Sequence, residues 1–358
     1  MIVIDGSFGE GGGQILRTSI AMSALLLKPI RVINIRAKRS NPGLRRQHMT
    51  AIEVLGKLTD AEIEGLHLGS KELTFIPKRR RSGSFYFDIG TAGSISLVLQ
   101  AALPVLSLAP SETTLTIKGG TDVPWSPPID YLRLVFLEII SKMGIKAKIH
   151  VLRRGHYPKG GGEVKVHVWP TKKLKPLSLV SVGELIKVKG VSHCVKLPKH
   201  VAERQAKAAR EHLVSNGIPL NIIELDLEYY PPDRDPHLGP GSGIVLVGVY
   251  ENSCVGSDAL GERGKPAEIV GKEAANKLLL EIRSHKPLDL HMADMILPYI
   301  AIADGISEIS ASKLTLHAYT NMHVIEKLTG VKFKLLEGEL DKPFRVKVKG
   351  LGITSGAT

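Results

Sequence analysis

A chain of 358 residues with 48 Lys and Arg against 35 Asp and Glu, a formal charge of +13, is too long for one small core. That charge favours a polyanionic partner, nucleotide or nucleic acid. No basic segment followed by an apolar core opens the chain, and the longest apolar run, Ile95 to Pro110, is interrupted by Gln100 and Pro104, so a cytoplasmic protein without signal peptide or membrane span is expected.

In chain order, a short apolar strand over Ile2 to Ile4 runs into Asp5-Gly6-Ser7-Phe8-Gly9-Glu10-Gly11-Gly12-Gly13-Gln14 and then into an apolar helix from about Gly13 to Leu27. Glycines let main-chain N–H groups close on an anion at a helix N-terminus, and Arg17 adds a charge one turn in. Gln14 stands where a dinucleotide fingerprint needs Gly, and Gly11-Gly12-Gly13 replaces the Gly-Lys-Ser/Thr of a P-loop. Glu10 is a carboxylate that an ordinary flexible turn does not need. A strand over Ile30 to Ala37 and a helix from Leu44 to Leu58 follow. Between them, Arg36, Arg39, Arg45, Arg46, Gln47 and His48 surround Asn41-Pro42-Gly43, a set suited to a terminal phosphate or to a solvated basic face.

The strand-helix-strand-helix pattern recurs. Its second copy has a strand over Ser84 to Ile89, the loop Gly90-Thr91-Ala92-Gly93-Ser94, a helix through Leu99 to Leu106, a strand over Thr113 to Lys118, and a helix from about Ile129 to Met143. The run Lys78-Arg79-Arg80-Arg81 before it reads as a solvated hairpin or a nonspecific RNA contact. A third copy runs from Leu288 through a helix over Ala293 to Ala303, a strand over Glu308 to Ser310, and a helix from about Asn321 to Leu328. Between the second and third copies, strands over Ile186 to Lys196, Ile222 to Tyr229 and Gly243 to Tyr250, with helices over Val201 to Ser215 and Pro266 to Arg283, make a separate α/β unit, and Pro231 to Gly243 reads as its hairpin loop.

The fold class expected is therefore α/β (α+β): three repeated βαβαββ-type units in a large domain, with a smaller α/β domain inserted before the third repeat. The boundaries are 1–183 for repeats 1 and 2 with the start of repeat 3, 184–282 for the insert, and 283–358 for repeat 3. The insert reads as a lid or interaction module in preference to a catalytic one. Cys194 and Cys254 lack metal-ligand spacing and suit a reducing compartment, with a single disulfide left open.

Chemistry gathers again at His291-Met292-Ala293-Asp294-Met295 and at Ser312 to Asn321. Imidazole is nucleophilic at neutral pH and attacks activated phosphorus without a strong base. His317 falls just before the expected last helix, whose cap would be Thr320 or Asn321, so an attached phosphate would face that helix's N-terminus. His323, inside the helix, reads as structural.

Asp5 to Arg17, Arg36-Ala37-Lys38-Arg39 with Pro42-Gly43 and Gln47-His48, Gly90 to Ser94 with Gln100, and His317-Ala318-Tyr319-Thr320-Asn321 together resemble the RNA 3′-terminal phosphate cyclase family nearly end to end. The resemblance implies a three-step reaction using ATP and a divalent metal, Mg2+ or Mn2+. Histidine takes AMP from ATP, AMP moves to an RNA 3′-phosphate, and the neighbouring 2′-hydroxyl displaces it to close a 2′,3′-cyclic phosphate. By motif, His317 would be the nucleophile, Glu10 the metal ligand and Arg17 a phosphate contact. Gln100 and His291, Met292, Ala293, Asp294 and Met295 would form the nucleotide pocket, with Asp294 at the ribose and Pro127 or Pro128 opposite the adenine. Arg36, Arg39, Gln47 and His48 would bind the RNA 3′-phosphate. His291 stands where some relatives have Tyr for stacking on adenine, which implies altered nucleotide packing. A monomer or homodimer is expected, and no membrane partner. Two alternatives are a noncatalytic ribosome-assembly relative, against which His317, Glu10 and Arg17 argue, and an enolpyruvate-transferase-like enzyme on similar repeats.

Overall fold

The structure, a computed structural model, describes residues 1–355. β1 (Ile2–Asp5) enters the glycine loop and α1 (Gly13–Leu26); β2 (Ile30–Ile33), α2 (Arg46–Thr59), β3 (Glu62–Glu64) and β4 (Leu73–Ile76) complete a first unit. A second comprises β5 (Gly83–Asp88), α3 (Ile95–Ser107), β6 (Thr113–Gly119), a helical stretch from α4 (Ile129–Tyr131) through a π turn (Leu132–Phe136) to α5 (Leu137–Ser141), then β7 (Lys146–Arg153) and β8 (Gly162–Trp169).

β9 (Ser178–Leu179) comes next. It is followed by β10 (Leu185–Val195), α6 (His200–Ser215), β11 (Ile223–Glu228), β12 (Gly241–Tyr250), β13 (Cys254–Leu260) and α7 (Ala267–Ser284). The chain ends with α8 (Met292–Met295), α9 (Leu297–Ile302), β14 (Ile306–Ala311), α10 (Leu316–Thr329), β15 (Lys334–Glu337) and β16 (Phe344–Lys349).

Three of the sheets share one plan. Their orders are β1-β2-β4-β3, β5-β6-β8-β7 and β9-β14-β16-β15. In each, the first two strands are parallel and the others antiparallel. A parallel pair requires a crossover, which a helix supplies, whereas the last two strands close as an antiparallel pair. Strand faces alternate, as in β6, whose odd-numbered residues Thr113, Leu115 and Ile117 are buried and whose even-numbered ones are not. The helices face inward: α1 packs against α2, α3 and α10 and buries Ile15, Leu16, Ile20 and Leu25.

The fourth sheet, β11-β10-β12-β13, is different. Ile244 and Leu246 of β12 join an apolar cluster with Val270, Ala274 and Leu278 of α7, while Val245 and Val247 on its other face join the main core. Both faces of this sheet are thus covered.

Several expectations change. β2 stops at Ile33 instead of Ala37, because Asn34 and Arg36 take left-handed backbone, both at φ 53°, which ends a strand. The last helix starts at Leu316, capped by Thr315, whose hydroxyl accepts from Ala318 N at 3.1 Å; neither Thr320 nor Asn321 is its cap. His317 therefore sits in its first turn. Pro231 to Gly243 is not a hairpin, because β11 and β12 lie on opposite sides of β10. The 78–81 run is not a free basic patch: Arg80 is buried and donates to Leu25 O and Thr354 O, Lys78 pairs with Glu62, and Arg79 and Arg81 pair with Asp60. Cys194 and Cys254 are buried free thiols. The third sheet begins with β9, inside the 1–183 segment expected to hold the start of repeat 3, and the chain from Leu288 supplies the rest of it. His323 stacks on Phe8, ring centroids 4.0 Å apart.

Candidate active site

The glycine loop is shaped by its neighbours. Gly9 and Gly11 have positive φ, 54° and 61°, and a Cβ on Gly13 would sit 2.3 Å from His48 Nε2. The loop can lie this close to α10, Lys38 and His48 only without side chains. It presents Glu10 and the start of α1 to a cleft of about 850 Å3, a size suited to a small-molecule ligand.

At the centre, His317 Nδ1 meets Gln14 Oε1. The Gln14 amide nitrogen donates to Asp294 Oδ2 at 2.8 Å, so its oxygen must face the imidazole, and Nδ1 carries a proton. That commits Nδ1 and leaves Nε2 for the carboxylate beyond. Nε2 lies 2.9 Å from Glu10 Oε2, while Glu10 Oε1 takes Arg39 Nη2 at 2.5 Å. Glu10 thus joins His317 to Arg39. Behind them, Thr18 Oγ1 donates to Asn321 Oδ1 at 2.6 Å, tying α1 to α10.

Arg17 enters the cleft from α1. Burial lowers its pKa to about 10, against the pull of Asp294 and Glu10, so it stays charged at neutral pH. Burial raises the Asp294 carboxyl, opposed by His317, His291 and Arg17. Asp294 bonds Gln14, which places it at the nucleophile as well as in the cleft.

Arg36, Arg39, Gln47, Gln100, Pro127, His291 and Met295 also line the cleft. Arg36 Nη1 donates to Asn41 O and Gly43 O, which fixes its guanidinium, and Gln47 Oε1 receives Ser94 N at 3.1 Å. Three expected pocket residues are not in the wall: Met292 and Ala293 are wholly buried in the core, and Pro128 is buried ahead of α4. His48 is also buried, and burial followed by the charges of Arg17, Arg36 and Arg45 pulls it to about 3, so it supports the loop as a neutral ring. His291 sets its edge against Tyr131, centroids 5.8 Å apart.

Among the lining residues that escape sequence reasoning are Gln14, Asp258, Lys277 and Trp125. Gln14 reads only as a break in a phosphate motif, because its partners are 280 and 303 positions away. Asp258 and Lys277 reach the cleft from β13 and α7, in the segment read as a lid. Trp125, 99% exposed and at φ 66°, stands at the rim, and its Pro-flanked surroundings were the only hint.

An imidazole with one free nitrogen, a carboxylate beside it and arginines around both are equipment for attack on phosphorus, so the site defines an enzyme of phosphate-ester chemistry. The chain matches the family described as RNA 3′-terminal phosphate cyclase over residues 8–335. Proteins named RNA 3′-terminal phosphate cyclase are similar to it along nearly their whole length. That of Ignicoccus hospitalis is 58% identical, covering 98% of this chain and 99% of the relative. Those of Hyperthermus butylicus and Methanopyrus kandleri are 54% and 48% identical, each over 98% of this chain, and 98% and 99% of the relatives are covered. The chain belongs to the RNA 3′-terminal phosphate cyclase family. Among solved structures, an EPSP synthase from Acinetobacter baumannii aligns at a TM-score of 0.22 and 11% identity, over 58% of this chain and 53% of that one, a likeness too loose to bear on fold or activity.

Proposed function

We propose that this chain is an ATP-dependent RNA 3′-phosphate cyclase in which His317 is the adenylated nucleophile. The observation that carries this reading is the His317 imidazole, held at Nδ1 by Gln14 with Nε2 turned toward Glu10 in a cleft lined by Arg17, Arg36 and Arg39. With the ring proton on Nδ1, the Nε2 lone pair attacks the α-phosphorus of ATP; a P–N bond forms as the P–O bond to pyrophosphate breaks, and pyrophosphate leaves. A terminal phosphate oxygen of the RNA then takes AMP from His317. The neighbouring 2′-hydroxyl attacks the 3′-phosphorus, loses its proton, and expels AMP as the ring closes. Arg17 holds phosphate of the nucleotide, and Arg36, Arg39 and Gln47 receive the RNA 3′-phosphate, with His48 behind them. Gln100, Pro127, His291, Asp294 and Met295 surround the nucleoside.

Glu10 fits a divalent cation, Mg2+ or Mn2+. Its Oε2 is buried and receives no well-aligned hydrogen bond, and one carboxylate completed by triphosphate oxygens is how Mg2+ is usually held. When bound, the ion offsets charge on the triphosphate. The boundaries 1–183, 184–282 and 283–358 belong to the same proposal, supported by the distinct strand order and apolar cluster of the fourth sheet. A cytoplasmic location fits the two free thiols, and no helix among the described residues is long and apolar enough to cross a membrane.

Incubation with α-labelled ATP and magnesium should leave an acid-labile label on the protein, and His317→Ala should carry none while keeping its thermal midpoint. RNA with a 3′-phosphate should become phosphatase-resistant, and RNA with a 3′-hydroxyl should not change. A label retained by His317→Ala overturns the assignment.

A further inference from the structure

A second polar cluster lies where the second unit meets the fourth sheet, and none of its three key residues lines the cleft. Asp122 follows β6, His156 follows β7, and His193 is on β10; they are 1%, 7% and 1% exposed. The two imidazoles face each other Nε2 to Nε2 at 3.0 Å, and Asp122 Oδ1 is 4.0 Å from His193 Nε2. One atom from each residue falls within 4.8 Å of the other two. We infer that these three side chains form a divalent-cation site of the zinc type, with two imidazole nitrogens and one carboxylate oxygen as protein ligands and water in the fourth position.

The geometry is near what such an ion needs. Bonds of about 2.0–2.2 Å at tetrahedral angles set ligand atoms about 3.3 Å apart, so the rings separate by a few tenths of an ångström, and the carboxylate, 4.0 Å from His193 and within 4.8 Å of His156, closes by roughly 1 Å. Asp122 is already aimed. Its Oδ2 receives Thr121 Oγ1 at 2.6 Å and Arg154 Nη1 at 3.2 Å, Oδ1 takes a longer contact from the same Nη1 at 3.4 Å, and these bonds hold the carboxylate with Oδ1 4.0 Å from His193 Nε2, as supporting hydrogen bonds orient metal ligands.

Two further observations favour a cation over a simple hydrogen bond. Facing each other through Nε2, the bare pair can share only one proton between two nitrogens that a cation would engage together. The surrounding charges leave a deficit. Asp122, Asp130 and Glu228 meet Arg154 and Arg133, three carboxylates against two guanidiniums, in largely buried surroundings.

The surrounding backbone is shaped to the rings. A Cβ at Gly241 would sit 2.0 Å from His156 Cγ, and one at Gly243 would sit 3.0 Å from His193 Cε1, so β12 passes the pair only as glycine. Two imidazoles and a carboxylate suit Zn2+ or Co2+ better than Mg2+, which prefers oxygen donors and retains its waters. The ion would staple β10 to the segment after β6, which leads to Trp125 and Pro127 at the cleft.

The full-length protein, stripped with chelator and freed of nucleotide, is titrated with Co2+ and then Zn2+. One ion per chain is expected, with visible cobalt bands of tetrahedral type and a rise in thermal midpoint on adding Zn2+. His193→Asn and His156→Asn should each bind none and lose the rise, while Glu10→Gln should keep both. Should a histidine variant fail to fold, Asp122→Asn, which keeps size and shape, must show the same loss. No ion at micromolar Co2+, or equal binding in these variants, overturns the site. Because binding is read without nucleotide or RNA, failure here is distinguishable from failure of the cyclase reading.

Discussion

Two clusters in this molecule are built from the same ingredients, arginine, carboxylate and histidine, and differ in access to water. Around His317, the ring is 48% exposed and Arg39 46%, and the charged groups face a cleft. Around Arg154, the guanidinium is 1% exposed and Asp122 and Asp130 0%, so the charges are spent on one another. An open cluster offers its groups to a ligand arriving from solvent, whereas a sealed one uses most of its charge to hold parts of the protein together.

Removing charge should therefore damage the sealed cluster most in stability. Arg154→Met removes the shared partner of three carboxylates, leaving only Asp130 with a second guanidinium, and should lower unfolding free energy by about 3–5 kcal/mol in denaturant titration, with label transfer to His317 retained in the molecules that remain folded. A loss under about 1 kcal/mol would erase the contrast.

The next effect belongs to the open cluster. Gln14→Leu frees the Nδ1 side of His317, and histidine adenylation should slow by about 100-fold with the thermal midpoint little changed. A smaller step is expected for Arg39→Ala: KM for 3′-phosphate RNA should rise about tenfold while ATP labelling of the protein stays within about threefold. Equal losses in both reactions would place Arg39 on the nucleotide.

The smallest effect is in His48, which lies under the open cluster yet is buried. Its pKa is depressed to about 3, so between there and the ordinary histidine value the unfolded chain binds the extra proton. This contribution is complete above about pH 6.5 and is lost as pH falls, by at most about 1.4 kcal/mol per unit. His48→Gln should flatten the acid side of the stability curve relative to wild type, and unchanged slopes would mean the ring is charged in the fold.

Local features are legible in the sequence. Helix and strand periods place most elements within a few residues, and the loop from Asp5 to Gln14 with His317 marks the site. Contacts between distant segments are not. Gln14 acquires a role only when α10 packs on α1, and Asp258 and Lys277 reach the cleft only because the fourth sheet docks on the second unit. Thr315, Thr320 and Asn321 are equally good capping residues in the sequence, and only the hydrogen bond from Ala318 N to Thr315 Oγ1 distinguishes the cap. Arg80 looks like its basic neighbours until burial against carbonyls separates them.

The pairing of Leu179 with Ile309 has a consequence for the order of assembly. The first two sheets close from contiguous chain, whereas the third waits for the whole fourth sheet to be made before β9 finds β14. Closing so long a loop costs chain entropy before any contact repays it. During synthesis the part of the cleft formed by the glycine loop and the arginines emerges early, whereas α10, which carries His317 into the cleft, emerges late, with only β15 and β16 after it.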